Sequence, residues 1–488
     1  METNIPIDFI REAQGQLWVD KINNTHSAGR LCPWVSTHHP QKLACRLEGT
    51  FHNGSFNAGM KMVFTDGAPW MVRFPRVGKI CSAYADEKVA MEVSTLNMIR
   101  EKTTIPVPRV HSWGSAADNS LGLGPFIMMD FIEGVSLAEI LNPSNPGCRT
   151  RVMREDISDR ELTTIYRQMT NILLQLFKLD FERIGSLPAP GRPSPPRPLT
   201  FKAHEILQDG GVDTFGNSMK GFSTTTNYFQ YVASQDWEQL LHQPNSTAGF
   251  YDAQNRFLAF KTLQRVIPHL IHPAYERRKF KLVCDDLGLA NLIVRGKDDL
   301  TVVGVVDLEW SYAGPAQLLA SAPWWLLIDR PVNSAWDCTV DGEEPRHLAA
   351  RYFKALWIFT RVLEEEEARI PGNKEQELSC LVKWSQTSGA MWLHMLLSAG
   401  FNSQRSFPFT MLRRRLGTMW GGFEREVADS DEMEEFARRK IAELDRYDEI
   451  QDRLEEMKAL VDSGDMTREE FVERGLALCS VSFAEIGD

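Results

Sequence analysis

The sequence changes character near residue 133, and this change limits the folds open to the chain. Between residues 45 and 132, three strand-like segments precede a helical segment at residues 86–100, and two more strand-like segments follow it. Beyond this point apolar residues recur mainly at helical spacing, and a capping box starts at Ser158. We therefore predict an α+β protein with two lobes. A small antiparallel sheet with one helix forms the N-lobe, and the larger C-lobe is mainly helical.

The rest of the organisation is predicted around this boundary. We expect an N-terminal extension over residues 1–44, the N-lobe over residues 45–132 and the C-lobe over residues 133–488. A β-rich stretch interrupts the helical pattern at residues 280–310. Residues 187–198 contain six prolines and are expected to cross the surface in an extended form. The four consecutive glutamates at residues 364–367 are typical of a solvated helix face.

Composition excludes several classes of protein. The net charge of −11, from 54 basic and 65 acidic residues, lacks the basic field of a nucleic-acid-binding protein but is compatible with a cationic small substrate. The longest uncharged stretch, residues 313–328, is shorter than the about 20 residues of a membrane helix. Eight cysteines without a C-x-x-C pair, and an acidic N-terminus unlike a signal peptide, predict a cytoplasmic protein with reduced thiols. Nothing in the sequence indicates an oligomeric state.

Three polar residues in the β-rich stretch have the spacing that phosphoryl transfer requires. Asp286 is followed by Asn291 five residues later, and Asp307 comes after the next predicted hairpin. Phosphoryl transfer needs a carboxylate beside the acceptor hydroxyl and further oxygen ligands for Mg²⁺. An aspartate, an asparagine five residues later and an aspartate after a strand–turn–strand unit form the catalytic-loop arrangement of kinases. The spacing alone has little specificity, and its place between strands supports the functional interpretation.

Several motifs together resemble the aminoglycoside phosphotransferase and choline kinase-like family, in particular its fungal branch. That family carries H-G-D-x-x-x-x-N followed by I-D-W-E, and this chain has C-D-D-L-G-L-A-N at residues 284–291 and V-D-L-E-W at residues 306–310. The similarity extends over roughly residues 45–328. The further matching segments are residues 70–75, 105–110, 126–134, 184–187, 312–315 and 323–327.

The resemblance implies roles for individual residues. Asp286 takes the position of the catalytic aspartate, which accepts or orients the proton of the acceptor hydroxyl, while Asn291 and Asp307 take the positions of the Mg²⁺ ligands. Glu309 is a weaker candidate for a second metal-related role. The N-lobe would bind the nucleotide, ATP or alternatively GTP, through phosphate-loop residues, an ion pair and the interlobe hinge. These are Ser55 and Asn57, Arg73 and Glu92, and Asp130 and Ile132.

The sequence departs from the family pattern at three positions. Cys284 and Asp285 replace the His and Gly of the catalytic motif, and Arg73 replaces the usual lysine. The function implied is an ATP-dependent phosphotransferase that acts on a hydroxyl of a small molecule. A degenerate, nucleotide-binding pseudokinase is the alternative that these departures leave open. A protein kinase is disfavoured because H-R-D, D-F-G, A-P-E and V-A-I-K motifs are absent from the sequence.

Overall fold

The computed structural model describes most of the chain in two lobes. The described residues are 3–142, 151–187, 197–216, 221–339, 341–372, 375–399, 404–428 and 431–484. The predicted extended course of the proline-rich segment falls mostly on residues 188–196, outside the described residues.

The N-lobe is built on a five-stranded antiparallel sheet, as predicted. Its elements in chain order are α1 (Ile5–Ser27), α2 (Leu31–Thr37), β1 (Cys45–Asn53), β2 (Asn57–Phe64), β3 (Pro69–Pro75), α3 (Ser82–Lys102), β4 (Val110–Gly114) and β5 (Phe126–Asp130). The strand order is β1-β2-β3-β5-β4, and every neighbouring pair is antiparallel. Because side chains alternate along a strand, Met60, Met62, Trp70 and Val72 all point to one buried face.

Helix α3 carries the predicted apolar stripe and lies against the sheet. Val89, Val93, Leu96 and Ile99 are buried, three or four residues apart, as a helix requires. The helix ends at Thr103, whose backbone is extended and whose hydroxyl donates to the carbonyl of Ile99. This stop comes just before the Ile105-Pro106 step, where a helical conformation is disfavoured.

Two helices precede the sheet, over residues that the sequence pattern predicted only as an N-terminal extension. Helix α1 packs against α2 and against helices near the C-terminus. On one side Trp18 joins the N-lobe core, and its indole Nε1 donates to the carbonyl of Leu123 at 3.0 Å. On the other side Ile10 packs with Leu454 and Phe471. Helix α1 thus connects the N-lobe to the last helices of the chain.

The C-lobe is mainly helical and contains two small sheets. Its elements are β6 (Val135–Ser136), α4 (Leu137–Leu141), α5 (Asp159–Leu176), β7 (Asp180–Phe181), α6 (Phe201–Glu205), α7 (Thr225–His242), α8 (Phe250–Val266), β8 (Phe280–Cys284), β9 (Leu292–Val294), β10 (Val302–Val305), β11 (Ser311–Gly314), α9 (Ala316–Leu319), α10 (Arg346–Ala368), α11 (Glu377–Ser388), α12 (Ala390–Ala399), α13 (Phe407–Leu416), α14 (Thr418–Ala428), α15 (Glu432–Ser463) and α16 (Arg468–Ala484). The predicted capping box starts α5, where Ser158 and Glu161 bond reciprocally. The predicted bilobal, kinase-like α+β fold is confirmed.

The two small sheets position the loops that carry the predicted chemistry. Their strand orders are β10-β9-β6 and β11-β8-β7, and all pairs are antiparallel. Strand β8 ends at Cys284 and β9 begins at Leu292, so the predicted catalytic loop crosses from one sheet to the other. Asp307 follows β10 by two residues. The β-rich stretch therefore brings both loops to the boundary between the lobes.

One surface prediction is wrong. Glu367 is 1% exposed, and its carboxylate accepts hydrogen bonds from the backbone N–H groups of Leu378 and Ser379 at 2.9 and 2.8 Å. These N–H groups belong to the first turn of α11, where a helix lacks internal acceptors. The glutamates at residues 364–367 are therefore not a uniformly solvated face, because Glu367 is buried and accepts hydrogen bonds from the next helix.

None of the helices that the structure describes is both long and apolar enough to cross a membrane.

Candidate active site

A cleft of about 500 Å³ lies between the two lobes and collects the predicted site residues. The N-lobe contributes the loop between β1 and β2, strand β3 and the segment after β5, and the C-lobe contributes the loops after β8 and β10. Glu92 lies behind the cleft wall, 2% exposed. The other predicted residues line the cleft: Ser55, Asn57, Arg73, Asp130, Ile132, Asp286, Asn291 and Asp307.

Asp286 and Asn291 are held in one compact loop. The amide Nδ2 of Asn291 donates to the backbone carbonyl of Asp286 at 2.9 Å and to that of Asp307 at 3.5 Å. These two bonds fix the amide plane and leave its Oδ1 for another partner. The Asp286 carboxylate accepts from Arg330 Nη2 at 2.9 Å. Burial raises the pKa of Asp286, and the neighbouring Arg330 opposes that rise.

Asp307 occupies an unusual backbone conformation at the cleft. Its φ of 57° lies in the left-handed region, where residues other than glycine are uncommon and often functional. Its side chain is 49% exposed, and Oδ1 lies 2.9 Å from Arg73 Nη1. The carboxylate of Asp307 and the amide oxygen of Asn291 are the oxygen donors that Mg²⁺ prefers.

The donor set fits Mg²⁺ bound together with a nucleotide. Among the described residues no group of three His, Cys, Asp or Glu side chains forms a metal cage. Mg²⁺ in nucleotide sites is held by one or two protein oxygens, with phosphates and waters as its other ligands. Asn291 and Asp307 supply two such oxygens, and the cleft leaves room for the remaining ligands.

A cluster of buried charges supports the cleft from behind. Arg73 Nη1 lies 3.1 Å from Glu92 Oε1, and Arg73 Nη2 lies 3.1 Å from Glu309 Oε2. Lys88 on α3 contacts the same Glu309 carboxylate and donates to the side-chain oxygen of Asn57 at 3.1 Å. Burial opposes ionisation of Arg73, but its carboxylate neighbours outweigh burial and raise its pKa. Burial alone would raise the pKa of Glu309, but the positive charges of Lys88 and Arg73 outweigh burial and lower this pKa.

Lys88 is the residue that sequence reasoning missed. It lies on α3, is 1% exposed and contacts Glu309. Glu309 therefore contacts two cations, Lys88 and Arg73. A signal was available, because Lys88 precedes Glu92 by four residues and therefore shares one face of the helix with it. Asn57, predicted to contact phosphate, also donates from Nδ2 to Glu309 at 2.6 Å.

The loop between β1 and β2 is anchored to the C-lobe by Phe56. The backbone N–H of Gly54 donates to the carbonyl of Asn57, and Arg76 donates to the carbonyl of Gly54. The Phe56 ring makes edge contacts with Phe201 and Trp310, with ring centroids 5.7 and 5.6 Å apart. These contacts hold Ser55 and Asn57 over the cleft.

The predicted hinge follows the last strand of the large sheet. The carboxylate of Asp130 accepts from the backbone N–H of Arg109 at 3.0 Å and lies 2.7 Å from His111 Nε2. The backbone N–H of Asp130 donates to the Arg109 carbonyl. Ile132 comes after these contacts and packs over Gly304, where a Cβ would lie 2.7 Å from its side chain. Ile132 therefore joins the two lobes at the cleft.

The two residues that depart from the motif point away from the cleft. The Asp285 carboxylate is buried and accepts from the Tyr312 hydroxyl at 2.9 Å and from the backbone N–H of Phe201 at 3.2 Å. Burial raises the pKa of Asp285 to about 7. The Cys284 thiol accepts a hydrogen bond from the Ser311 hydroxyl, and burial raises its pKa to about 12. Asp285 therefore adds no carboxylate to the cleft surface.

Comparison with known proteins finds distant relatives. No protein-family model matches the chain. The mitochondrial protein named altered inheritance of mitochondria protein 9 from Clavispora lusitaniae is 31% identical over 139 residues, 28% of this chain and 21% of that protein. The clavilactone A biosynthesis cluster protein Y of Ampulloclitocybe clavipes is 24% identical over 331 residues, 65% of this chain and 74% of that protein. The chain spans only 21–23% of the length of the curated relatives it matches first.

Solved structures give likenesses of the same kind. A macrolide 2′-phosphotransferase type I is 12% identical, with a TM-score of 0.41, and the match covers 83% of this chain and 98% of that chain. The likeness is distant, and the kinase-like fold is established by the sheet order and lobe arrangement described above.

The prediction of a cytoplasmic protein is wrong in the light of these relatives. The first curated relatives, from four yeasts, are all named as mitochondrial proteins. A secretory signal carries an apolar run, whereas mitochondrial transit peptides are amphipathic and arginine-rich. The absence of an apolar run therefore does not distinguish the cytoplasm from the mitochondrion.

Proposed function

We propose that this chain is an ATP-dependent phosphotransferase that transfers a phosphoryl group to the hydroxyl of a small molecule, with GTP as the alternative donor. The observation that carries the proposal is the shared cleft. Asp286, Asn291 and Asp307 lie five and sixteen residues apart in sequence, yet all three face one interlobe space together with Arg73 and Asn57. A carboxylate for the acceptor, two oxygens for a metal and cationic support for phosphates are the requirements of phosphoryl transfer.

Each of these residues has a distinct part in the proposed reaction. Asp286 accepts the hydrogen bond of the acceptor hydroxyl and orients its oxygen for attack. Asn291 and Asp307 hold Mg²⁺, which when bound neutralises charge on the nucleotide phosphates. Arg73 lies at the position from which a cation reaches the phosphates, and its guanidinium is fixed by Glu92 and Glu309.

The charges behind the cleft support a divalent cation. Two cations, Arg73 and Lys88, face three carboxylates, those of Glu92, Asp307 and Glu309. Burial raises the pKa of Glu92 and so disfavours its charged form, whereas Asp307 is the most exposed of the three carboxylates. An exposed carboxylate at the cleft surface is available to a cation there.

A second candidate function is a nucleotide-binding module without turnover. The specific observation in its favour is that both functional carboxylates are already paired, Asp286 with Arg330 and Asp307 with Arg73. A protein in which these pairs persist would bind a nucleotide without orienting an acceptor. The effect of Asp286→Asn on turnover, considered below, distinguishes this module from the enzyme.

Nucleotide binding is tested by thermal shift. Saturating Mg·ATP is expected to raise the melting temperature, because a ligand at about 100 times its Kd stabilises the native state by about 2.7 kcal/mol. Asp307→Ala is expected to abolish the Mg²⁺-dependent part of the shift, since it removes the charged metal ligand. The matched control is Asp298→Ala, an exposed turn residue. An undiminished shift in Asp307→Ala would remove Asp307 from the metal site.

The acceptor is proposed only as a class, a small molecule with a hydroxyl group. A screen for ATP or GTP consumption should cover aminoglycosides, choline-like amino alcohols, sugars and secondary-metabolite alcohols, with Asp286→Asn as the blank.

We also propose that the protein is mitochondrial, on the basis of the names of its first curated relatives. Fractionation of cells that express the full chain checks this, and recovery away from mitochondria would refute it.

A further inference from the structure

Arg330 holds a fixed position beside Asp286 of the catalytic loop. It follows Ile328, whose φ of 69° is rare for a β-branched residue, and Asp329, which is buried. The Asp329 carboxylate accepts from the side chains of Asn333 at 2.6 Å and Trp336 at 3.0 Å. A strained backbone held by buried hydrogen bonds persists only where the surroundings enforce it, so the course of the chain at Arg330 is fixed.

Aromatic side chains hold the guanidinium group. It lies 3.8 Å from the ring centroid of Trp324 and 5.0 Å from that of Phe201. Trp324 is itself placed by the catalytic loop, because a Cβ on Gly288 would lie 3.1 Å from its ring. Phe201 is tied to the same loop through its backbone N–H bond to Asp285. The planar cation is thus stacked and fixed next to Asp286.

Most of the donors of this guanidinium have no partner among the residues that the structure describes. One nitrogen, Nη2, donates to the Asp286 carboxylate and to the Asp285 carbonyl, both at 2.9 Å. Within the described part of the chain, Nε and Nη1 have no acceptor, although only 13% of the side chain is exposed. Three N–H groups therefore remain on a largely buried arginine. Nε and Nη1 are not fully buried, so a ligand that carries acceptor oxygens can reach them.

We propose that Arg330 is an acceptor-recognition residue that binds a carboxylate or phosphate group on the molecule whose hydroxyl meets Asp286. The proposal rests on the phosphotransferase function proposed above. It names the class of acceptor as a hydroxy acid or a phosphorylated alcohol. A guanidinium pairs with such groups through two parallel N–H···O bonds, which a neutral alcohol lacks and which an ammonium group opposes.

The nearby Glu205 agrees with an anionic acceptor. Its carboxyl lies within electrostatic range of Arg330 and Asp286. Burial, reinforced by Asp209, raises the pKa of Glu205 to about 8, so this carboxyl is mostly protonated at neutral pH. A protonated carboxyl attracts an ammonium group weakly and can donate a hydrogen bond to an anion.

Calorimetric titration of the nucleotide-free protein tests the proposal. The anionic probes are D-glycerate and sn-glycerol 3-phosphate, and the comparison probes are glycerol and ethanolamine. At least one anion is expected to bind, with affinity at least 10-fold lower in Arg330→Gln and unchanged in Arg295→Gln, an exposed arginine that pairs with Asp299. A 10-fold loss corresponds to about 1.4 kcal/mol.

A second variant covers the case in which Arg330→Gln fails to fold. Arg330→Lys keeps a positive charge beside Asp286 but lacks the planar fork, so we expect about 3-fold weaker anion binding. Three results would each overturn the proposal. They are binding of neither anion, anion affinity in the Arg330 variants equal to that of the wild type, and tighter binding of ethanolamine than of the anions. Because the titrations contain no nucleotide, their result is independent of the Mg·ATP experiment, and failure of one proposal is distinguishable from failure of the other.

Discussion

Asp285 and Asp286 are neighbours in the chain, yet their carboxylates lie in opposite environments. Asp286 faces the interlobe cleft and is 34% exposed, whereas Asp285 faces the C-lobe core, where Tyr312 and Phe201 donate to it. Both residues lie in the turn that follows β8, so one short segment holds both carboxylates. The register predicted from the five-residue spacing to Asn291 assigns the catalytic part to Asp286, and this assignment is a prediction that turnover can test.

Asp286→Asn is expected to lower turnover about 100-fold or more while leaving ATP affinity about the same. The carboxylate acts on the acceptor hydroxyl mainly in the transition state, and a positioned acid–base group contributes on this scale. The loss corresponds to about 2.7 kcal/mol. Steady-state kinetics with an acceptor from the screen, together with nucleotide titration, measure both quantities. Asp285→Asn is the comparison and should retain most turnover, so equal losses would contradict the register.

Asp285 should also impose a pH dependence on stability. The native state keeps its proton up to about pH 7, whereas the unfolded chain loses it near the ordinary pKa of 3.8. The native state therefore binds more protons in this window, and the contribution of this group to stability falls as the pH rises from about 4 to about 7. Asp285→Asn lacks this titration. Relative to the wild type, the variant should gain stability over the window, by at most about 4 kcal/mol at 1.36 kcal/mol per pH unit.

Urea denaturation at pH 4.5 and at pH 7.5 measures this effect. Asp298→Asn, an exposed substitution in the turn after β9, is the control and should follow the wild type at both pH values. Parallel stability of wild type and Asp285→Asn across the window would show that the buried carboxyl does not hold its proton in the native state.

At the scale of elements, helix α11 depends on a residue from the preceding helix. Its own N-cap, Gln376, has a left-handed φ of 46° and makes no side-chain capping bond. Glu367 near the end of α10 replaces that cap by accepting two N–H groups of the first turn. A negative charge at a helix N-terminus is also favoured by the helix dipole.

Glu367→Ala is expected to destabilise the protein by about 3 kcal/mol. The substitution leaves two buried N–H groups without an acceptor, and each such group costs about 1–3 kcal/mol. The free energy of unfolding in urea measures the loss. Glu364→Ala on the same helix is the control, because its pair with Lys383 is partly exposed and should contribute less than about 1 kcal/mol. Equal effects at the two positions would contradict the capping role.

Periodicity and spacing predicted the elements better than the contacts between them. The five strands, helix α3, the capping box of α5 and the hairpin that carries Asp307 follow local patterns, so they could be read from short windows of sequence. The contacts of Lys88 with Glu309 and of Arg330 with Asp286 join residues 221 and 44 positions apart. Such pairings depend on how the lobes pack, which local patterns do not encode. Helix α1 was missed because its proline-containing start and mixed composition hide its apolar stripe.

At the scale of the whole molecule, helix α1 ties the beginning of the chain to both lobes. Trp18 packs in the N-lobe core and Ile10 packs against the C-terminal helices. The same helix reaches the C-lobe segment after α6, where Arg11 donates to the carbonyl of Gln208. Residues predicted to be an extension therefore contribute directly to the packing of both lobes.

Trp18→Ala is expected to destabilise the whole protein by about 3–5 kcal/mol, the usual cost of truncating a buried aromatic side chain. Trp18 is 6% exposed and also loses its hydrogen bond to Leu123. The matched control is Trp357→Ala, because Trp357 is 62% exposed and its removal should change stability by no more than about 0.5 kcal/mol. Denaturation in urea, followed by circular dichroism, measures both. A small effect at Trp18 would mean that α1 is dispensable.

The buried charge cluster behind the cleft has a consequence for how such a protein can be taken apart or recombined. Arg73, Lys88 and Glu92 belong to one lobe, and Asp307 and Glu309 belong to the other. Expressed alone, the first lobe would keep two cations and a single carboxylate of this cluster, so charges that balance each other in the whole protein would be separated. The lobes are therefore not interchangeable modules. A chimera that exchanges one lobe between relatives must carry the matching residues of the other lobe with it.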